Sequence, residues 1–163
     1  MKKLILDTSI CIDLYNGKLH KIVLRLPYMF VLPDVIIAEL NEPAGSLLLE
    51  FGFTKEGISG EEIEKAFVLR DNYPAPSFND LLALLLAKRN SCYLITSDNA
   101  LRKAAKLEGV ASHGLLWLFD EMVLHGILSG GQATDTLEKI IREGSWLPKK
   151  ECEERFKKWR KEV

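Results

Sequence analysis

The strongest constraint on this chain is an alternation that runs through its first two-thirds. Short apolar runs of strand length each end at a helix-start signal. LIL at 4–6 stops at Asp7, YMFVL at 28–32 stops at Pro33 and Asp34, and CYLIT at 92–96 stops at Ser97, Asp98 and Asn99. Runs this short and this continuously apolar belong to strands covered on both faces. Parallel neighbours need a crossover between them, usually a helix, and that crossover is right-handed. The alternation therefore predicts a three-layer α/β/α arrangement around a central parallel sheet of four to five strands. A weaker strand is expected over 51–59 and a short last one over 110–112.

The helix signals fall between these runs. Ser9 is expected to cap a helix beginning near Ile10 and ending at Gly17. Further helical segments are expected over 19–26, over 34–40, over 60–70 and over 77–90. The second of these begins after Pro33, the third carries Glu61 and Glu62 in its first turn, and the last is strongly apolar and capped by Ser77. A helix also follows Asn99. Beyond His113 the strand signal disappears. Leu115, Leu118, Phe119, Met122 and Val123 share one helical face, 132–143 reads as a second helix, and a third follows Pro148 with Phe156 and Trp159 at helical spacing. With 163 residues, 47% of them hydrophobic, the expectation is one domain: an α/β core over 1–113 and a helical C-terminal extension of the same domain over 114–163.

Composition narrows the partners. The formal net charge is -1, so the chain does not grip nucleic acid by bulk positive charge. A metal site supplies positive charge locally and is compatible with this balance. Cys11, Cys92 and Cys152 are odd in number and far apart, as are His20, His113 and His125. The former read as free thiols, and neither set has the spacing of a zinc site. Three apolar residues after Met1-Lys2-Lys3 are too few for a signal peptide, and no run reaches membrane-spanning length. A cytoplasmic protein is expected, with no membrane partner.

Four acids stand out. Asp7 and Asp98 lie just beyond the carboxyl ends of expected parallel strands, the edge where open α/β sheets bind ligands. Glu39 follows the second strand on a helix, and Asp80 opens a largely buried helix, where an acid needs a partner. Each also has an ordinary structural role available: Asp7 in a turn, Glu39 on a solvated helix face, Asp80 in a capping box with Ser77, and Asp98 as an N-cap. Brought together, they would repel one another unless cations sat among them, and oxygen-only ligands suit Mg²⁺ or Mn²⁺. A dehalogenase-like phosphatase needs a second acid where Ser9 stands. A receiver domain needs paired acids at the first strand.

The strings LILDTS, VIIAEL and SFNDLLALLLAKRNSCYLITSDNALRKAA resemble the motifs of PIN-domain nucleases over about the first two-thirds of the chain. The resemblance implies a Rossmann-like fold, Mg²⁺ or Mn²⁺ as cofactor and endoribonuclease activity. It assigns the catalytic, metal-binding positions to Asp7, Glu39, Asp80 and Asp98, with Ser9 and Thr96 as supporting hydroxyls. Many single-domain prokaryotic members resemble VapC toxins, which implies an RNA substrate, a small antitoxin partner and a homodimer. The helical tail departs from that pattern and resembles a prokaryotic PIN-like branch with such an extension. The other reading is a catalytically silent PIN-like module that binds RNA or protein. Arg102, one turn from Asp98, is the best-placed candidate for RNA contact. Lys88-Arg89, Lys103, Lys106 and the basic tail read first as solvated helix faces. Asp13 is expected to face solvent, Asp71 to lie at the surface, and Trp117, Trp146 and Trp159 to pack before they stack on bases.

Overall fold

The computed structural model describes residues 1–161. Five strands, β1 (Lys2–Leu6), β2 (Tyr28–Pro33), β3 (Thr54–Glu56), β4 (Tyr93–Ile95) and β5 (Ser112–His113), form one sheet in the order β3-β2-β1-β4-β5. All four pairings are parallel, as the alternation of apolar runs requires. Leu4, Ile5 and Leu6 of central β1 are completely buried. Successive strand side chains point to opposite faces, so both faces of the sheet are covered.

The chain first builds outward from β1 to β2 and β3. It then returns to the other side of β1 for β4 and β5. The strand order therefore reverses between β1 and β4, and the carboxyl ends of these two strands are where open sheets of this kind form a ligand-binding crevice. The register pairs Leu6 with Ile95, so the two residues that follow, Asp7 and Thr96, come out side by side.

The helices are α1 (Thr8–Asn16), α2 (Asp34–Glu39), α3 (Gly45–Phe51), α4 (Gly60–Asn72), α5 (Phe78–Asn90), α6 (Asn99–Leu107), α7 (Leu115–Leu124), α8 (Gly130–Arg142) and α9 (Lys149–Lys161). Helix α5 shows why an apolar run of this length is a helix without an amphipathic stripe. Every residue from 81 to 87 is buried. Ala83, Leu84, Leu86 and Ala87 face the main core, while Leu81, Leu82 and Leu85 pack with Ala66 and Leu69 of α4. A buried leucine contributes roughly 1.5–3 kcal/mol, so this helix is a main anchor for the residues at its start. A reciprocal capping box fixes that start: Asp80 N–H donates to Ser77 Oγ at 3.0 Å, and Ser77 N–H donates to Asp80 Oδ2 at 3.1 Å.

Several local expectations need correction. Asp7, not Ser9, caps α1: its Oδ1 accepts from Ile10 N–H at 3.0 Å. The segment over 19–26 forms only a single 3₁₀ turn at Ile22–Arg25, cut short by the approach to Pro27. Residues 45–51, given no element from sequence, form α3. The strand expected over 51–59 shrinks to three residues, because Phe51 closes that helix and Gly52 reverses the chain at φ 122°. The last strand lies slightly later than 110–112. Asp13 does not face solvent. It is buried on α1 and accepts a hydrogen bond from Ser145 Oγ in the loop between α8 and α9.

That loop belongs to a C-terminal region packed into the main core. Leu137, Ile140, Cys152 and Trp159 share one apolar cluster with β1, β2 and β4. Arg155 of α9 holds Asp120 of α7 through two hydrogen bonds of 3.0 and 2.7 Å, a paired geometry that fixes orientation. Trp159 is 1% exposed, with its ring 5.9 Å from that of Phe119. At Gly130 the start of α8 meets the backbone of α9: a Cβ there would lie 2.3 Å from the Trp159 carbonyl oxygen. Gly130→Ala must push α8 and α9 apart. We expect it to destabilise the fold by about 1–3 kcal/mol, read as a lower urea midpoint with an unchanged slope.

Candidate active site

Asp7 lies at the carboxyl end of β1 and is 1% exposed. Its Oδ1 accepts from Ser9 Oγ at 2.8 Å and from Ile10 N–H, and its Oδ2 accepts from Thr96 Oγ1. Thr96, completely buried just beyond β4, in turn accepts from Asp98 N–H at 3.0 Å. One hydroxyl therefore ties the ends of the two central strands together. Asp98 caps α6, its Oδ1 taking the N–H groups of Ala100 at 2.9 Å and Leu101 at 3.2 Å.

The other two acids reach the same edge from helices. Asp80 stands in the first turn of α5. Glu39 is the last residue of α2 and is exposed. Its Oε2 accepts from Thr8 Oγ1 at 2.8 Å and from Asn79 Nδ2 at 3.4 Å. Thr8 and Asn79 neighbour Asp7 and Asp80 in sequence, so Glu39 is held between the two other acid-bearing segments.

Asp80 links the acids electrically. Burial raises the Asp7 pKa to about 6, against the hydrogen bonds from Thr96, Ile10 and Ser9, and the charge of Asp80 raises it further. Burial also lifts Asp80 above the ordinary carboxylate range, against its Ser77 hydrogen bonds, and the charges of Asp98 and Glu39 add to the lift. Among the described residues, no three Asp, Glu, His or Cys side chains are drawn into a ready-made ligand set. The acids lie at one sheet edge near enough for charge to act between them through Asp80, each held by its own hydrogen bonds. Mutual repulsion favours that spacing when no positive charge stands between them. This donor set fits a hard divalent cation: its donors are all oxygen, and a cation among them would offset the burial and repulsion that raise Asp7 and Asp80.

The other candidates separate cleanly. Ser9 supports Asp7 rather than capping the helix. Arg102 is exposed on α6, one turn from Asp98, and forms no ion pair among the described residues. Lys88 and Arg89 are turned to other work, pairing with Glu108 at 3.5 Å and Glu62 at 2.9 Å. Asp71 lies at the surface and Trp159 in the core, as expected. Thr8, Asn79 and Ser97 were not singled out from sequence. The one available signal was adjacency, since each is a small polar residue beside one of the four acids. The Ser97 Oγ is buried without a hydrogen-bond partner.

A family model described as DUF3368, PIN domain, matches residues 3–161. The chain belongs to the PIN-domain family. The match takes in α7 to α9, so the helical C-terminal region is part of the family pattern. Among solved structures, a chain of VapBC2 from Rickettsia felis, determined bound to a DNA fragment from the promoter, is similar in fold. Its TM-score is 0.50 at 14% identity, over 69% of this chain and 98% of that one. A domain of a functionally unknown protein from Methanocaldococcus jannaschii aligns with a TM-score of 0.46 at 20% identity, over 71% of this chain and 91% of that one. No curated protein sequence matches. PIN domains are generally nucleases that use divalent metals, and the α/β architecture expected from sequence is the one observed.

The Asp7 shift has a measurable sign. Its folded pKa of about 6 exceeds the unfolded value near 3.8, so between these pH values the folded state holds more protons than the unfolded one. Stability in EDTA should therefore fall as pH rises from about 4 to 6, by up to about 3 kcal/mol from this group. Asp7→Asn keeps the oxygen that caps α1 and removes the charge. We expect it to flatten that fall and to raise the melting temperature in EDTA at pH 7.5.

Proposed function

We propose that this chain is a Mg²⁺- or Mn²⁺-dependent endoribonuclease that hydrolyses RNA phosphodiester bonds in the crevice between β1 and β4. The observation that carries this reading is the electrical coupling of Asp7, Glu39, Asp80 and Asp98 at one sheet edge. No two of them are adjacent in sequence, and they reach the edge from four different segments. Asp7, Asp80 and Asp98 would hold the cations directly, and Glu39 would hold a second cation or a water beside it. Cations held there would stabilise charge on the phosphate and lower the pKa of a water.

The rest of the work falls to the chain itself. Ser9 and Thr96 donate to Asp7 and keep both its oxygens aimed, a role whose loss typically costs about 10–100-fold in metal affinity or activity. Thr8 and Asn79 position Glu39. Burial, and beyond it the charge of neighbouring acids, raises Asp7 and Asp80, a penalty that a bound cation would relieve.

The likeness to a chain of VapBC2 supports a toxin role with a small protein antitoxin as partner, and a homodimer as the assembly. No helix is long and apolar enough to cross a membrane, which fits a cytoplasmic setting. We further propose that 1–113 and 114–163 form one domain, supported by the apolar cluster they share. A second reading, a silent PIN-like module that binds RNA or protein, draws on the acids' spacing and on the engagement of both Asp7 oxygens by protein donors.

Purified protein incubated with mixed-sequence single-stranded RNA separates the two. Cleavage should appear with Mg²⁺ or Mn²⁺, vanish with EDTA, and fall to background in Asp7→Asn and Asp98→Asn while both variants stay folded. Thr96→Val should lose about 10–100-fold. An unchanged rate in either Asn variant refutes the assigned site, and folded protein that never cleaves shifts the chain to the silent module.

A further inference from the structure

Next to the carboxylate crevice lies a cleft that the proposed chemistry leaves unused. It has a volume of about 200 Å³ and begins at Ser97 and Asn99, the two residues that bracket Asp98. Its inner wall is His113, whose ring stacks on Trp117 with centroids 4.3 Å apart and planes 13° apart. Burial and the nearby Arg102 charge both hold His113 below its ordinary pKa, so this wall is a flat, neutral face near pH 7. The outer wall comes from the C-terminal region, with Trp146, Leu147, Pro148 and Glu151.

The lining is selective. Trp146 is 70% exposed, unusual for a side chain that gains so much from burial. It stands on a loop anchored at both sides: Ser145 donates to buried Asp13, and Arg155 is committed to Asp120. Arg102 offers a cation with no competing ion pair among the described residues, while Glu151 offers an acceptor. The buried Ser97 Oγ has no partner. One cation, one acid, a hydroxyl and exposed aromatic surface make a poor hole for a bare phosphate. They suit a flat, polar-edged heterocycle that carries a phosphate at one side. The volume lies below the roughly 300–1,000 Å³ of sites for larger ligands, which limits the occupant to a single ring system.

We propose that this cleft is a nucleotide subsite for single-stranded RNA, with one base against Trp146 and the adjoining phosphate at Arg102, so that the C-terminal helices select the substrate for the carboxylate crevice. The proposal rests on the nuclease reading for its meaning, but its test does not. Fluorescence anisotropy of a labelled mixed-sequence RNA oligonucleotide in EDTA measures binding without cleavage. Stacking of one base corresponds to a loss of about 5- to 150-fold in affinity on removal of the aromatic ring. Trp146→Ala should show that loss, and Arg102→Ala should weaken binding and reduce its salt dependence. Trp146 is too exposed to hold the fold, so its melting temperature should stay unchanged. Bound RNA should also protect the wild-type protein from acrylamide quenching, a protection absent in Trp146→Ala.

Equal affinities in the wild type and both variants would overturn the proposal, as would wild-type protein that binds no RNA, which would leave the cleft to a protein partner. The two readings fail separately. Metal-dependent cleavage with unaltered binding in the cleft variants removes the subsite and keeps the nuclease. Trp146-dependent binding without cleavage does the reverse.

Discussion

The contact between Thr96 and Asp7 is the interaction on which the rest of the carboxyl edge depends. It spans the junction between β1 and β4, where the strand order reverses, and it is completely buried. An ionised carboxylate in such a place is costly unless donors surround it. Here the Ser9 hydroxyl, the Ile10 amide and the Thr96 hydroxyl all point at it. These donors only partly offset the burial, since the carboxyl still holds its proton up to a pH of about 6. The protein therefore keeps an acid in a site that favours the uncharged form, next to other acids that favour it further. Stability alone would not select such an arrangement. Shifts of this kind, made by burial and neighbouring like charge, cluster at functional sites.

Much of the fold was legible because its signals are local. The buried runs at β1, β2 and β4 are continuous, and each ends in a residue that starts a helix. The capping box at Ser77 and Asp80 and the cap at Asp98 could be read from spacing alone. The misreadings arise where tertiary contacts decide. Asp7 can cap α1 and face the crevice with the same carboxylate, so Ser9 was freed to support it. Asp13 sits on α1 at a position that pattern assigns to water, and only the return of the chain at Ser145 buries it. Helix α3 has no capping side chain to announce it.

The candidate site was legible to a similar depth. Four acids at strand ends and helix starts could be picked out, and the sheet brings their segments to one edge. Their spacing could not be read, because it reflects a balance between repulsion and local hydrogen bonds such as those of Thr8 and Asn79 to Glu39. The cleft beside Asp98 was beyond reach as well. Its outer wall comes from residues 146–151, which no sequence pattern links to β5.

The sheet topology also has a consequence in time. β1 precedes the other four strands in the chain but occupies the centre of the sheet. Thr96, which closes the site, lies 89 positions after Asp7. Closing so long a loop is slow, and until then one edge of a very apolar strand stays open. The nascent chain thus passes through a period in which β1, β2 and β3 can pair while the carboxylate edge does not yet exist. A ribosome making this chain carries β1, β2 and β3 without that edge until β4 has left the exit tunnel. The same interval leaves the β1 edge open to chaperones, or to a neighbouring copy of the chain.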